Sequence, residues 1–322
     1  MARPEAGATR NAAGDRVVLH PLIADFLRHL ADGRQLSPHT VSAYRVDLAD
    51  FSGFLSRYHG DDGWDLGGVD RQAVRAFQAE LARRGLARRT IARKLSAVRS
   101  CFRFLHREDH VPANPATGVR SPKLERRLPG WLGLPDVERL FAYAENRAAE
   151  NTFLGTRDLA ILETFYGSGL RLSELHALDW ADLDLIADQI RVRGKGRKER
   201  IVPLTSAAVR ALRRYEPRRA EIAARASGAD RQAVFLSERA RRLSRRQIQD
   251  VVRRMLDTVA EGSDVSTHSL RHTFATHLLD GGADLLAVKE LLGHVSLSTT
   301  RIYVHTAPDR LKRVYERAHP RA

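Results

Sequence analysis

In the first third of the chain apolar residues recur every three or four places, the period of helices that bury one face. The pattern runs from Val17 to Leu30 and from Pro38 to Leu55, the latter through Val41, Tyr44, Leu48, Phe51 and Leu55. Ser37 before Pro38 supplies a cap followed by proline at the first helical position. After a glycine-rich loop over 60–68, two more helical stretches are expected, Asp70–Arg83 and Ala87–Leu105. The second sets Ile91, Leu95, Val98 and Phe102 in a stripe, with Arg88, Arg89, Arg93, Lys94 and Arg99 beside it. Such a basic face suits phosphates or a groove, or is simply solvated.

From Val111 to Pro129 four prolines (Pro112, Pro115, Pro122, Pro129) with Asn114 and Gly118 break any helix, so a linker and domain boundary are expected there. Helices resume near Pro135–Glu145 and Thr156–Tyr166. Gln189–Arg193 and Glu199–Pro203 flank the polar turn 194–198 as a β-hairpin. Further helices are expected at Ser206–Ala226, Ser244–Ala260, Ser269–Leu279, Leu285–Leu292, Ser298–Val304 and Asp309–Arg317. The expected fold is mainly α with a small β-hairpin or sheet (α+β). Its parts are a flexible tail (1–15), an N-terminal helical domain (16–108), a linker (109–127), a second domain (128–316) and a C-terminal tail (317–322).

Composition narrows the class. The hydrophobic fraction of 43% fits a globular chain, and 322 residues suggest two cores. No apolar run reaches the roughly 18–20 residues of a membrane span, and the start lacks an apolar signal segment. The single cysteine, Cys101, fits a reducing cytoplasm, the expected location. A net charge of +15 attracts polyanions, although an arginine-biased genome would produce the same charge. Only six residues are lysine (Lys94, Lys123, Lys195, Lys198, Lys289, Lys312), so a lysine inside a motif stands out.

Four segments carry candidate chemistry: Gly169-Leu-Arg171-Leu-Ser-Glu174-Leu, the Lys195 turn, His268-Ser-Leu-Arg271-His272, and Leu291-Leu-Gly-His294 followed by Thr300-Arg-Ile-Tyr303. In this order they resemble the tyrosine recombinases, the phage integrase family, and most closely its Xer type; Tyr166-Gly-Ser-Gly-Leu-Arg171-Leu and Phe235-Leu-Ser fit the XerC-like subtype. The resemblance implies an N-terminal core-binding domain that clamps DNA and a six-residue site of Arg171, Lys195, His268, Arg271, His294 and nucleophile Tyr303.

Chemistry agrees with that set. Attack on a phosphodiester builds negative charge that fixed cationic donors must meet, and arginine forks onto two oxygens. His268 and Arg271, three apart, share a helix face, while a structural histidine is the competing reading of His268. Lysine can give up the proton that a leaving 5′-hydroxyl needs, whereas arginine effectively cannot. Lys195 matches the family's general acid, with Lys198 as its rival. Glu174 is expected to orient neighbours.

Other readings fit less. The histidines and Asp179, Asp182 and Asp184 lack metal-site spacing, and Gly194-Lys195 lacks the rest of a phosphate-binding loop. Neither a metal nor a cofactor is therefore expected. A non-catalytic DNA-binding regulator leaves the assembled motifs unexplained, and a type IB topoisomerase would carry extra domains. The resemblance further implies a double-stranded DNA recombination site as partner and a tetramer on two sites with a related XerD-like recombinase. It also implies resolution of chromosome dimers at cell division, with a septal DNA translocase as a possible activator and no membrane. A phage or plasmid integrase is the alternative. The stripe Leu311, Val314, Tyr315 and Ala318 must be buried somewhere, on a neighbouring subunit as the resemblance implies or against its own domain.

Overall fold

The computed structural model describes residues 8–10, 16–60, 64–123, 130–193, 199–259, 265–293 and 308–322. The chain divides into two compact units, Met1–Arg126 and Arg127–Ala322.

The first unit contains helices α1 (Pro21–Arg28), α2 (Pro38–His59), α3 (Arg71–Arg83) and α4 (Arg88–Arg107), preceded by an antiparallel ribbon of β1 (Ala8–Arg10) and β2 (Arg16–Val18). Helix α2 starts as its sequence predicts, with Ser37 Oγ accepting from Thr40 N at 3.2 Å. It ends at Gly60, whose φ of +78° suits a glycine cap. The predicted stripe of α4 is buried against Phe51 and Leu55 of α2 and Phe77 and Leu81 of α3. Phe51 and Phe77 meet edge to face at 5.0 Å, and each fully buried aromatic contributes about 1.5–3 kcal/mol.

Two expectations change here. Val17 and Val18 lie in strand β2 rather than in the expected helix, and helix α1 begins only at Pro21, where His20 accepts from Leu22 N. The proline-rich stretch read as a linker is partly folded onto this unit. Val111, Ala116 and Val119 are buried in its core, and Arg99 donates to the carbonyls of Ala116 and Val119. Prolines stop a helix, yet they do not stop a chain from packing.

The second unit is built around α6 (Phe153–Ser168), which is buried on every side from Gly155 to Ser168. A helix buried all round must satisfy its polar residues internally. Arg157 pairs with Asp158 at 2.7 Å, and Glu163 receives Arg321. Around it lie α5 (Leu134–Ala149), α8 (Ser206–Arg225), α9 (Arg245–Asp257) and α10 (Thr267–Asp280). Helix α7 (Leu172–Ala177) follows α6 directly. The sheet has three antiparallel strands, β3 (Leu183–Asp184), β4 (Gln189–Arg193) and β5 (Glu199–Pro203), in that order. Strand β3 is an addition to the predicted hairpin.

Helices α11 (Leu285–Leu291) and α12 (Pro308–Ala318) complete the unit. Tyr315 is 1% exposed and packs with Phe274, Leu278 and Leu291, and its hydroxyl donates to Gly167 O at 2.6 Å. Tyr315 and Ala318 are buried in their own unit and Val314 packs partly against the same cluster, which fits packing within the domain rather than on a neighbouring subunit. The segment named as a C-terminal tail is also packed. His319 is 5% exposed, and Arg321 lies 4.1 Å over the Phe141 ring while pairing with Glu163 and Glu145. Among the described residues no helix is long and apolar enough to cross a membrane.

Candidate active site

Helix α6 ends at Gly169, where φ is +57° and the backbone N–H returns to Phe165 O. A Cβ at this position would sit 2.4 Å from the Phe274 ring of α10, so only glycine lets the two helices meet here. Leu170 is fully buried, and Arg171 caps α7, whose third residue is Glu174. The Glu174 carboxylate reaches back to accept Arg171 N at 2.8 Å, which is half of a capping box.

That carboxylate gathers three arginines. Oε1 accepts Arg171 Nη1 and Arg200 Nη1, each at 2.9 Å, while Oε2 accepts Arg200 Nη2 at 2.9 Å and lies 4.0 Å from Arg271 Nη1. The same arginines hold three successive carbonyls at the end of α11. Arg200 Nε donates to Leu291 O at 3.3 Å, Arg271 Nη2 to Leu292 O at 2.6 Å, and Arg171 Nη2 to Gly293 O at 3.2 Å. Arg271 also donates to Gly169 O. Gly293 has φ +64°, and a Cβ there would meet the Arg200 guanidinium at 3.1 Å.

One carboxylate among three guanidinium groups leaves two positive charges uncompensated. Burial raises the Glu174 carboxyl, but hydrogen bonds from Arg200 and the Arg171 backbone, with the charges of both arginines, hold it below the ordinary value. Burial and then the like charge of Arg171 bring Arg271 down to about 10, so it remains a cation at neutral pH. The arrangement is a partly exposed, fixed cationic pocket. Side-chain exposure rises from 11% at Arg271 to 40% at Arg171, the member most open to an incoming anion.

Of the six site residues read from the sequence, Arg171 and Arg271 are brought together around Glu174. His268 lies exposed near the start of α10, three residues before Arg271. Lys195, with its rival Lys198, and His294 and Tyr303 lie outside the described residues. The chain enters the Lys195 turn from Arg193 and reaches His294 directly after Gly293.

Arg200 was missed. On β5 it pairs in register with Val192, while Val202 pairs with Ile190; Val192, Ile190 and Val202 are all buried. An arginine in the inward phase of an amphipathic strand was the available signal.

The sequence pattern of the phage integrase family matches residues 131–310, and that of the phage integrase N-terminal SAM-like domain matches residues 23–109. The chain belongs to the phage integrase family. Within it, the tyrosine recombinase XerC of Pelobacter propionicus is 44% identical over 300 residues, covering 93% of this chain and 95% of that protein. The XerC of Pseudomonas fluorescens is 44% identical over 298 residues, covering 92% and 95%. These relatives mark a XerC-type tyrosine recombinase. The family fold recurs in a XerH recombinase bound to a palindromic difH substrate after cleavage, with TM-score 0.66, 20% identity and coverage of 90% of this chain and 82% of that one. It recurs also in a lambda integrase dimer bound to a core site, with TM-score 0.63, 17% identity and coverage of 89% and 99%.

Proposed function

We propose that this phage integrase family member is a site-specific recombinase that breaks and rejoins double-stranded DNA through Tyr303. The observation that carries the reading is the Glu174 cluster, whose three fixed arginines leave a positive excess suited to a phosphodiester that gains negative charge on attack. In this reaction Tyr303 Oη bonds to the scissile phosphorus, the bond from phosphorus to the 5′-oxygen breaks, and a 3′-phosphotyrosyl link remains. Lys195 gives a proton to the departing 5′-oxygen, His268 assists removal of the tyrosine proton, and Arg171, Arg271 and His294 hold the non-bridging oxygens. A partner strand's 5′-hydroxyl then attacks the link and releases Tyr303. Each step exchanges one phosphoester for another, so no nucleotide is needed to drive it.

Identity of 44% to XerC proteins over most of the chain supports chromosome-dimer resolution at cell division over a phage or plasmid task. The reaction would run in the cytoplasm, in a tetramer joining two sites with a related XerD-like recombinase; a septal DNA translocase is a candidate activator. The test uses a nicked suicide substrate in the presence of chelator. Wild type becomes covalently trapped on DNA and Tyr303→Phe does not. Loss of trapping in EDTA, or an adduct formed by Tyr303→Phe, would overturn the assignment.

A further inference from the structure

We propose that Arg93 reads a base edge in the DNA site, held in position for that task by Asp47. The inference rests on the DNA-binding reading above and adds a residue that determines specificity.

The observation begins with a buried charge cluster between α2 and α4. Lys94 is 1% exposed; its Nζ lies 3.2 Å from Asp47 Oδ1 and 2.9 Å from Asp50 Oδ2, and both carboxylates are themselves buried. Arg84 closes the far side on Asp50 at 2.9 Å. The remaining oxygen of Asp47, Oδ2, accepts Arg93 Nη1, and the Arg93 side chain is 52% exposed. Arg93 borders a cleft of about 440 Å³ that is also lined by His39 and Thr40 of α2 and by Ser96 and Ala97 of α4.

Two physical arguments separate base reading from a phosphate contact. A buried cluster of ions gives little net stability compared with apolar packing, because desolvation opposes the attraction. What it does supply is direction, since Asp47 is fixed by Lys94 and in turn fixes one side of the Arg93 fork. Charge is the second argument. Arg93 is joined to Asp47, a carboxylate it shares with Lys94, so part of its charge is offset and its pull on a phosphate is weaker than that of an unpaired guanidinium. Its outward N–H groups still donate hydrogen bonds, and a guanine edge is neutral and offers two acceptors, O6 and N7, matched to such a fork. The cleft is also lined by Ala43, Tyr44 and Asp47, so Thr40 and Ser96 bring hydroxyl groups beside Arg93 while Ala43 and Ala97 are small enough to let a base edge approach. The arginines of the Glu174 cluster differ in degree, since three share a single carboxylate and keep more of their attraction for phosphate.

The experiment measures binding of the full chain to its protected DNA site and to a panel in which each base pair is changed in turn, with salt titrations. Wild type should lose at least about fivefold in affinity when one G·C pair is replaced, the lower end of what a bidentate arginine–guanine pair supplies. Arg93→Ala should lose that preference alone, with the other positions and the salt slope unchanged in the folded variant. Asp47→Asn should weaken the same preference although it removes a negative charge near DNA. Uniform weakening by Arg93→Ala with a salt slope shallower by about 0.9 would make Arg93 a phosphate contact and overturn the proposal. Retention of every base preference would reduce Arg93 to a structural ion pair and overturn it as well. If the wild type shows no preferred DNA site, the recombinase reading itself fails, which is a separate result.

Discussion

Among the described residues, each unit has a group in which three cations share carboxylates. In the N-terminal unit Lys94, Arg84 and Arg93 meet two carboxylates, Asp47 and Asp50, and the lysine is removed from solvent. In the C-terminal unit Arg171, Arg200 and Arg271 meet only Glu174. The first group carries one cation in excess and opens at Arg93, while the second carries two and opens at Arg171. The contrast teaches that a count of basic residues does not locate a phosphate site. What matters is the ratio of cations to carboxylates at the point where the group opens.

Removing the shared carboxylate tests the comparison most severely. Glu174→Ala leaves three guanidinium groups facing one another and is expected to cost about 3–5 kcal/mol of stability. It should also lower DNA cleavage about 100-fold or more, since misplacement of catalytic groups by about 1 Å has that effect. Chemical denaturation and single-turnover cleavage measure the two. Near-normal cleavage by the folded variant would mean that Glu174 does not position the arginines. The N-terminal group should behave in the opposite way. Lys94→Met leaves Asp47 and Asp50 short of a cation and should cost about 3 kcal/mol, whereas cleavage by the molecules that stay folded should change by less than about threefold. A large cleavage defect at full folding would break the distinction between the two groups.

A smaller effect separates the units by acidity. Burial lowers His319 to about 3 and also lowers His277, both in the C-terminal unit. A histidine whose folded value is depressed binds protons mainly when unfolded, so stability rises with pH between its folded value and the ordinary 6.5. From pH 7 down to pH 5, His319 alone should cost this unit about 2 kcal/mol. His319→Phe keeps a ring against Tyr315, with which His319 stacks at 5.0 Å, and should flatten that dependence in urea melts. An unchanged slope would show that His319 gains its proton without unfolding.

The helices of both units were legible because apolar periodicity survives over ten or more residues, and the cap at Ser37 marked one start to the residue. Helix α7 and strand β3, with six and two residues, are too short to display a period. Lys94 was grouped with a basic face because it neighbours Arg93. Its burial depends on Asp47 and Asp50, which lie on another helix and leave no trace in the local pattern. The candidate site shows the same division. Motif order pointed to Arg171, His268 and Arg271, and the structure joins the two arginines through a carboxylate. Arg200 announced its inward direction by strand alternation, but its partner Glu174 is 26 residues away. The sequence could give the charge of that partner and not its place.

Gly169 has a consequence for any scan of substitutions. It has no side chain to contribute, yet its backbone turns into the left-handed region, its carbonyl receives Arg271, and the Phe274 ring occupies the place of a Cβ. Replacement by alanine meets both obstacles, so tolerance at 169 should be as low as at Arg271 itself, with the defect arising from displaced helices rather than from a lost proton or charge. A tolerance map of this chain would then mark the glycine of Gly-Leu-Arg as strongly as the arginine. Part of what makes the motif recognisable is accordingly a contact between two helices, and a search by motif is in part a search for that contact.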